Sequence, residues 1–223
     1  MNPNYQKELD QILALEKTRG QLLFLHSCCA PCSSYVLWYL RSYFRITVFY
    51  YNPNITQAQE YQKRAAEQVR LIQAMNRERE AQRACGGIEE NFPIEVQEGA
   101  YQPAVFLRAV RGLEQCPEGG ERCRRCFALR LEETARQAKA QGFAYFTTTL
   151  TISPLKQAPL LNEIGREAGE RHGIAFLPSD FKKRDGYKKS IELSRQYDLY
   201  RQDYCGCIFS RAEREKAAHR SGL

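Results

Sequence analysis

The chain has 223 residues, enough to bury one substantial core, and no shift in composition marks a linker between two domains. Its 33 basic and 26 acidic residues leave a net charge of +7, which suits a polyanionic partner, while nine cysteines form an odd set that a disulfide scaffold cannot use up. No run approaches the roughly 20 apolar residues of a membrane span, and the N-terminal stretch is polar and mixed in charge, so a soluble, cytoplasmic protein with no membrane partner is expected.

Tyr5, Leu9, Ile12 and Leu13 lie at helical spacing and predict a short helix within residues 1–20 that carries no chemistry. The apolar run Leu22 to Leu25 has strand length and meets His26-Ser27-Cys28-Cys29-Ala30-Pro31-Cys32, behind which Val36, Leu37, Leu40 and Phe44 recur at helical spacing. The three thiols therefore fall in a strand-to-helix turn with Pro31 near the helix start, the position where open α/β sheets bind ligands and helix amides favour thiolate over thiol. Ile46 to Tyr51 predicts a second strand, ended by Asn52-Pro53-Asn54. Tyr61, Ala65, Val69 and Ile72 mark one face of a long helix running toward Arg83, whose Arg and Glu residues read as a solvated face.

After a less regular stretch from Cys85 to Gly99, in which Phe92 to Val96 predicts a strand, Val105 to Leu113 returns to helical spacing before Gly119-Gly120. Cys123-Arg124-Arg125-Cys126 opens another helix with Phe127, Leu131, Ala135 and Ala138 on its apolar face, so two thiols three residues apart share a face. Phe143 to Leu150 predicts a strand, Ser153-Pro154 a helix start with Leu161, Ile164 and Ala168 on its face, and Ile174 to Leu177 a further strand. Ser179 to Lys183 and Gly186-Tyr187 read as a charged loop, Cys205-Gly206-Cys207 follows, and residues 211–223 read as a charged, frayed tail. The alternation predicts one α/β domain over 1–223, with a Rossmann-like (HUP-like) parallel sheet flanked by helices and a metal site at the strand C-terminal ends.

Cys28, Cys29, Cys123 and Cys126 form two short-range pairs on separate turns, an arrangement that suits one tetrahedral thiolate site for iron–sulfur or zinc. Cys32 is then a surplus thiol, which points to a reactive site rather than a closed structural one. Cys29-Ala30-Pro31-Cys32 also matches a thioredoxin-like oxidoreductase, although that reading leaves the other thiols without roles. A disulfide between Cys205 and Cys207 would be strained and comparatively oxidising, so the pair could store two electrons; two reduced thiols or two further ligands are the alternatives. His26 precedes the thiols as either a proton donor or a packed residue. Thr147, Thr148, Thr149, Ser153 and Lys156 could hold a phosphate, and Tyr187 and Tyr200 beside basic residues could stack a base.

Taken together, His26-Ser27-Cys28-Cys29-Ala30-Pro31-Cys32, Arg122 to Phe127 with both cysteines, Thr148-Thr149-Leu150, Ser153-Pro154, Asp180 to Lys183 and Tyr200 to Cys207 strongly resemble the QueH family of cobalamin-independent epoxyqueuosine reductases. The resemblance runs from Leu22 to Ser210. It implies two-electron reduction of epoxyqueuosine to queuosine at the wobble position of tRNA, the last step of queuosine biosynthesis, with an unidentified electron donor. It further implies that Cys28, Cys29, Cys123 and Cys126 hold a 4Fe-4S cluster and that Cys205 and Cys207 are a redox-active pair. An additional mononuclear iron on Cys32, with Cys205 or Cys207, is expected to act as a Lewis acid toward the epoxide oxygen. Ser153, Lys156, Lys182, Lys183 and Arg201 are expected to bind substrate, the cations contacting anticodon stem-loop phosphates. Cys85 and Cys116 match no motif, and a zinc-dependent RNA-binding module is the remaining alternative.

Overall fold

The computed structural model describes residues 3–86 and 91–220. Residues 87–90, within the irregular stretch after Cys85, and 221–223, the end of the expected tail, lie outside the described residues. The elements run α1 (Tyr5–Leu13), β1 (Gln21–His26), α2 (Ala30–Leu40), β2 (Phe44–Tyr50), α3 (Ala58–Ala84), β3 (Ile94–Glu98), α4 (Pro103–Ala109) and α5 (Glu121–Ala140). They continue as β4 (Tyr145–Thr148), α6 (Ala158–His172), β5 (Ala175–Phe176), α7 (Gly186–Gln196) and α8 (Ile208–Arg220).

All pairings are parallel and the strand order is β3-β2-β1-β4-β5, the doubly wound α/β architecture read from the sequence. The chain builds outward from β1 in one direction through β2 and β3, then returns to the other side for β4 and β5. The order thus reverses between β1 and β4, which opens a crevice beyond their C-terminal ends. His26 pairs with Thr148 there, so the thiol loop after β1 and the threonines after β4 leave the sheet side by side.

Alternate side chains of β1 feed two cores, as strand geometry requires. Leu23 and Leu25 join Val48, Val36, Leu40 and Leu71 on one face, whereas Phe24 joins Phe49, Phe146, Phe176, Ala135 and Ala168 on the other. Each fully buried Leu or Phe contributes about 1.5–3 kcal/mol. Covered on both sides, β1 is a nearly continuous apolar run rather than an alternating one.

Four local expectations change. Phe44 begins β2 instead of extending α2, which ends at Leu40. Ser153-Pro154 does not start a helix: Thr149–Ile152 forms a 3-10 turn capped by the Thr148 hydroxyl, and α6 begins at Ala158, with proline in its first turn. The charged loop after β5 is followed by α7, whose Ser190, Leu193 and Ser194 are buried at helical spacing. The tail is helical through Arg220, because Glu213 is bound by buried Arg122 and Arg211 pairs with Glu215 one turn on. Among the described residues no helix is long and apolar enough to cross a membrane.

Candidate metal and redox centre

Cys28 lies between β1 and α2, and Cys29 occupies the N-cap position of α2, with Pro31 in the first turn. The loop is pinned by a buried polar network. Ser27 and Ser33 hydroxyls both reach Gln68 Oε1, at 2.7 and 2.9 Å, Ser33 also bonds the Cys29 carbonyl, and Asn52 donates to the Ser27 carbonyl at 2.8 Å. Held this way, the sulfur atoms of Cys28, Cys29 and Cys32 all lie within 4.8 Å of one another, close enough to share one metal ion. Cys28 Sγ is 3.8 Å from Cys29 Sγ and 3.6 Å from Thr149 Oγ1.

Hydrogen bonds from the Cys29 and Cys32 thiols hold Cys28 well below the ordinary cysteine range despite its burial, and Lys156 and Thr149 add to the effect. The donors move the other way: Cys29 is pushed up to about 12, and Cys32 well upward. His26 is neutral, with burial and then Arg130 pushing it down to about 3. Its ring nitrogens face the Thr148 hydroxyl at 2.9 Å and the Tyr51 carbonyl at 3.2 Å. Because the carbonyl only accepts, Nε2 carries the proton and Nδ1 accepts from Thr148, so His26 is the packed residue rather than a proton donor.

A second thiol group forms behind the first. Cys123 and Cys126 project from the first turns of α5, and Cys205 and Cys207 arrive on the loop before α8; all four line one small cavity with Asn54, Phe106 and Phe127. Burial pushes Cys126 up to about 12 and Cys207 up to about 11. Gly206 between the pair has φ +113°, and a Cβ there would sit 2.8 Å from Ile55 and 3.2 Å from Arg64, so only glycine fits. Arg64, buried on α3 and 2.6 Å from Glu60, reaches the Tyr204 and Cys205 carbonyls at 3.4 Å and ties the loop down. All nine cysteines are free thiols.

An open cleft of about 440 Å³ lies above both groups, lined by Cys28, Cys32 and Cys205 together with Ser153, Lys156 and Arg201. Tyr187 also lines it, whereas Tyr200 is turned to Glu60 and lies under Lys63. Lys182 and Lys183 do not line the cleft. The Lys182 ammonium is taken up by Asp180 at 2.8 Å and the Thr151 carbonyl at 3.2 Å, and Lys183 is exposed. Of the threonines proposed for phosphate, Thr147 is spent on the Leu177 carbonyl and Thr148 on His26.

The chain matches the model of the family described as epoxyqueuosine reductase QueH over residues 23–213. The chain belongs to that family. It is 39% identical to the epoxyqueuosine reductase QueH of Streptococcus pyogenes serotype M1, over 94% of this chain and 80% of that relative. It is likewise 39% identical to that of Staphylococcus epidermidis, over 93% and 84%, and 32% identical to that of Thermotoga maritima, over 87% and 92%. The span matched to QueH contains every site residue expected from the sequence and leaves out α1 and the end of α8.

The residues around the QueH thiols fit an anionic, sulfur-rich metal group. Buried donors that have no hydrogen-bond partner lie in their electrostatic reach: Tyr50 Oη near Cys29 and Cys28, and Arg130 Nη2 on a guanidinium whose charge Cys126, Cys205, Cys28 and Cys123 favour. Gln68 Nε2, on the amide that anchors Ser27 and Ser33, is a third. Donors left unsatisfied in a dry interior are costly, and inorganic sulfide or metal-bound thiolate would accept from them. The sequence missed these three side chains. Arg64, too, lies inside rather than on the solvated face expected of α3; its i, i+4 Glu60 was the visible signal.

Proposed function

We propose that the chain reduces epoxyqueuosine to queuosine in tRNA, adding two electrons and two protons and releasing the epoxide oxygen as water. Membership of the family favours this reaction over a thioredoxin-like oxidoreductase or a zinc-dependent binding module. What carries the finer reading is that Cys205 is the one thiol lining both the open cleft and the small thiol cavity, so a single sulfur connects the place for a substrate with the place for a metal group.

In this reading Cys28, Cys29, Cys123 and Cys126 hold the 4Fe-4S cluster. When bound, the cluster supplies electrons singly, and a further iron on Cys32 would add Lewis acidity. Cys28, whose thiol is held lowest of its trio, is the first ligand to offer, and Thr149 orients it through its backbone N–H as well as its sulfur. Cys205 and Cys207 carry the electron pair as a dithiol, and Gly206 lets both thiols face inward. Lys156 has a charge that burial opposes but Cys205, Cys28 and Cys32 favour, and it sits where the cleft meets the thiols. With Ser153 and Arg201 it receives the anticodon-loop phosphates. Arg201, steadied by the Ser194 hydroxyl at 3.1 Å, guards the outer wall. Lys182 braces the Lys156 backbone through its carbonyl at 3.5 Å.

Lys156→Glu and Arg201→Glu are each expected to weaken tRNA binding by roughly tenfold or more and to lower the slope of log affinity against log salt by about one per lost contact. Binding isotherms at several salt concentrations measure both. Unchanged affinity in the two variants would place the tRNA elsewhere.

A further inference from the structure

Three arginines are among the largest fully buried side chains, and two of them meet a carboxylate. Arg64 Nε lies 2.6 Å from Glu60, and Arg122 Nη2 lies 2.7 Å from Glu213. Arg41, slightly less buried, interacts with Glu78. Arg130 is the exception. It is 1% exposed, its Nε donates to the Cys126 carbonyl at 3.3 Å, its Nη1 to Asn52 at a long 3.4 Å, and its Nη2 to nothing. Among the described residues no carboxylate lies within ion-pair distance of it.

A guanidinium cannot shed its proton to escape burial, so an unpaired one is among the costliest groups a core can hold. The titratable groups around Arg130 are the thiols Cys126, Cys205, Cys28 and Cys123, with His26 and Lys156. Lys156 adds a second cation, which deepens the imbalance. Cys126 and Cys123 lie four and seven residues before Arg130 on α5, stacked along one helix face above it. As thiols they offer no charge; bound to metal they are thiolates, and the charge of Arg130 is met.

We propose that Arg130 is the fixed counter-charge of the thiolate centre, favouring its assembly and raising its reduction potential. The proposal rests on the cluster reading above. Assembly replaces neutral thiols with metal-bound thiolates beside the guanidinium, and each electron added to the centre increases the negative charge that Arg130 stabilises. Arg130 is thus a positioning residue that touches no substrate, and its bonds to the Cys126 carbonyl and Asn52 keep the charge in place.

The test uses the full chain, metal-free and after anaerobic reconstitution with iron and sulfide, in wild type, Arg130→Met, Arg130→Gln and Arg130→Lys. Metal-free Arg130→Met and Arg130→Gln are expected to melt above metal-free wild type, because a buried unpaired charge is gone. Reconstitution then stabilises them less than it does wild type. Their midpoint potentials fall, or they fail to retain iron and sulfide, while Arg130→Lys keeps both close to wild type. Should Arg130→Met not fold, the comparison of Gln with Lys decides, since Gln keeps a donor without the charge. Neutral variants that melt lower than wild type by equal amounts in both forms, with a wild-type potential, would make Arg130 a structural tie and overturn the proposal. Wild type that takes up neither iron nor sulfide would overturn the cluster reading itself, and the counter-charge with it.

Discussion

Cys205→Ser is expected to lower kcat/KM for epoxyqueuosine reduction by about a thousandfold, about 4 kcal/mol of transition-state stabilisation, while leaving iron and sulfide content unchanged. Cys205 is the one thiol that lines both the open cleft and the small cavity holding Cys123, Cys126 and Cys207. Its loop is rigid where it matters, with Arg64 and Asn54 both reaching the Cys205 carbonyl at 3.4 Å and Ser210 accepting from the Cys205 amide at 3.1 Å. Serine preserves those contacts, which involve the backbone, and removes only the sulfur. Trapping thiols after a single turnover checks the same step from the other side: wild type should show Cys205 and Cys207 protected as a disulfide. A fully active Cys205→Ser protein would remove the dithiol from the mechanism.

Gly186→Ala should cost about 3 kcal/mol or more, lowering Tm by about 6–12 °C for a chain of this size. A Cβ at Gly186 would stand 1.9 Å from the Phe181 carbonyl oxygen and 2.6 Å from the Tyr35 ring. The first is backbone in a turn that Arg184 and Asp185 already hold at positive φ, so it has little room to give. α7 would have to move off α2, and with it Tyr187 and Ser190, which line the cleft. Thermal melts report the stability loss, and a raised KM for tRNA is expected alongside it. Lys183→Ala, at an exposed position in the same turn, is expected to change stability by no more than about 0.5 kcal/mol.

The sheet was readable because burial on both faces makes Leu23 to Leu25 of β1 and Val48 to Tyr50 of β2 compact apolar runs, and because Pro31 and the cysteines fall where the first of them meets a helical pattern. α7 escaped notice because its buried positions include Ser190 and Ser194, whose hydroxyls bond the Tyr187 and Ser190 carbonyls within the helix instead of adding hydrophobicity. The helix start expected at Ser153 failed because the Thr148 hydroxyl captures the Leu150 amide and winds a tighter turn first.

The site divides in the same way. Thiol spacing is local, so the grouping of Cys28 with Cys29, and of Cys123 with Cys126, could be read directly. That Cys205 and Cys207 share a cavity with Cys123 and Cys126 depends on contacts between elements far apart in the chain. Buried cations are the least legible of all. Arg130 stands in a helix rich in arginine and glutamate, and nothing local separates it from Arg136, which pairs with Glu133 at the surface.

The most direct test of the account is a visible spectrum with iron and sulfide analysis of anaerobically prepared protein, set beside Cys28→Ala and Cys123→Ala. The account predicts a broad brown absorption with matching iron and sulfide in wild type, lost in both variants, because the two thiols come from different elements yet serve one centre. Colourless wild type after careful reconstitution, or a variant of either cysteine that keeps the full spectrum, would contradict it.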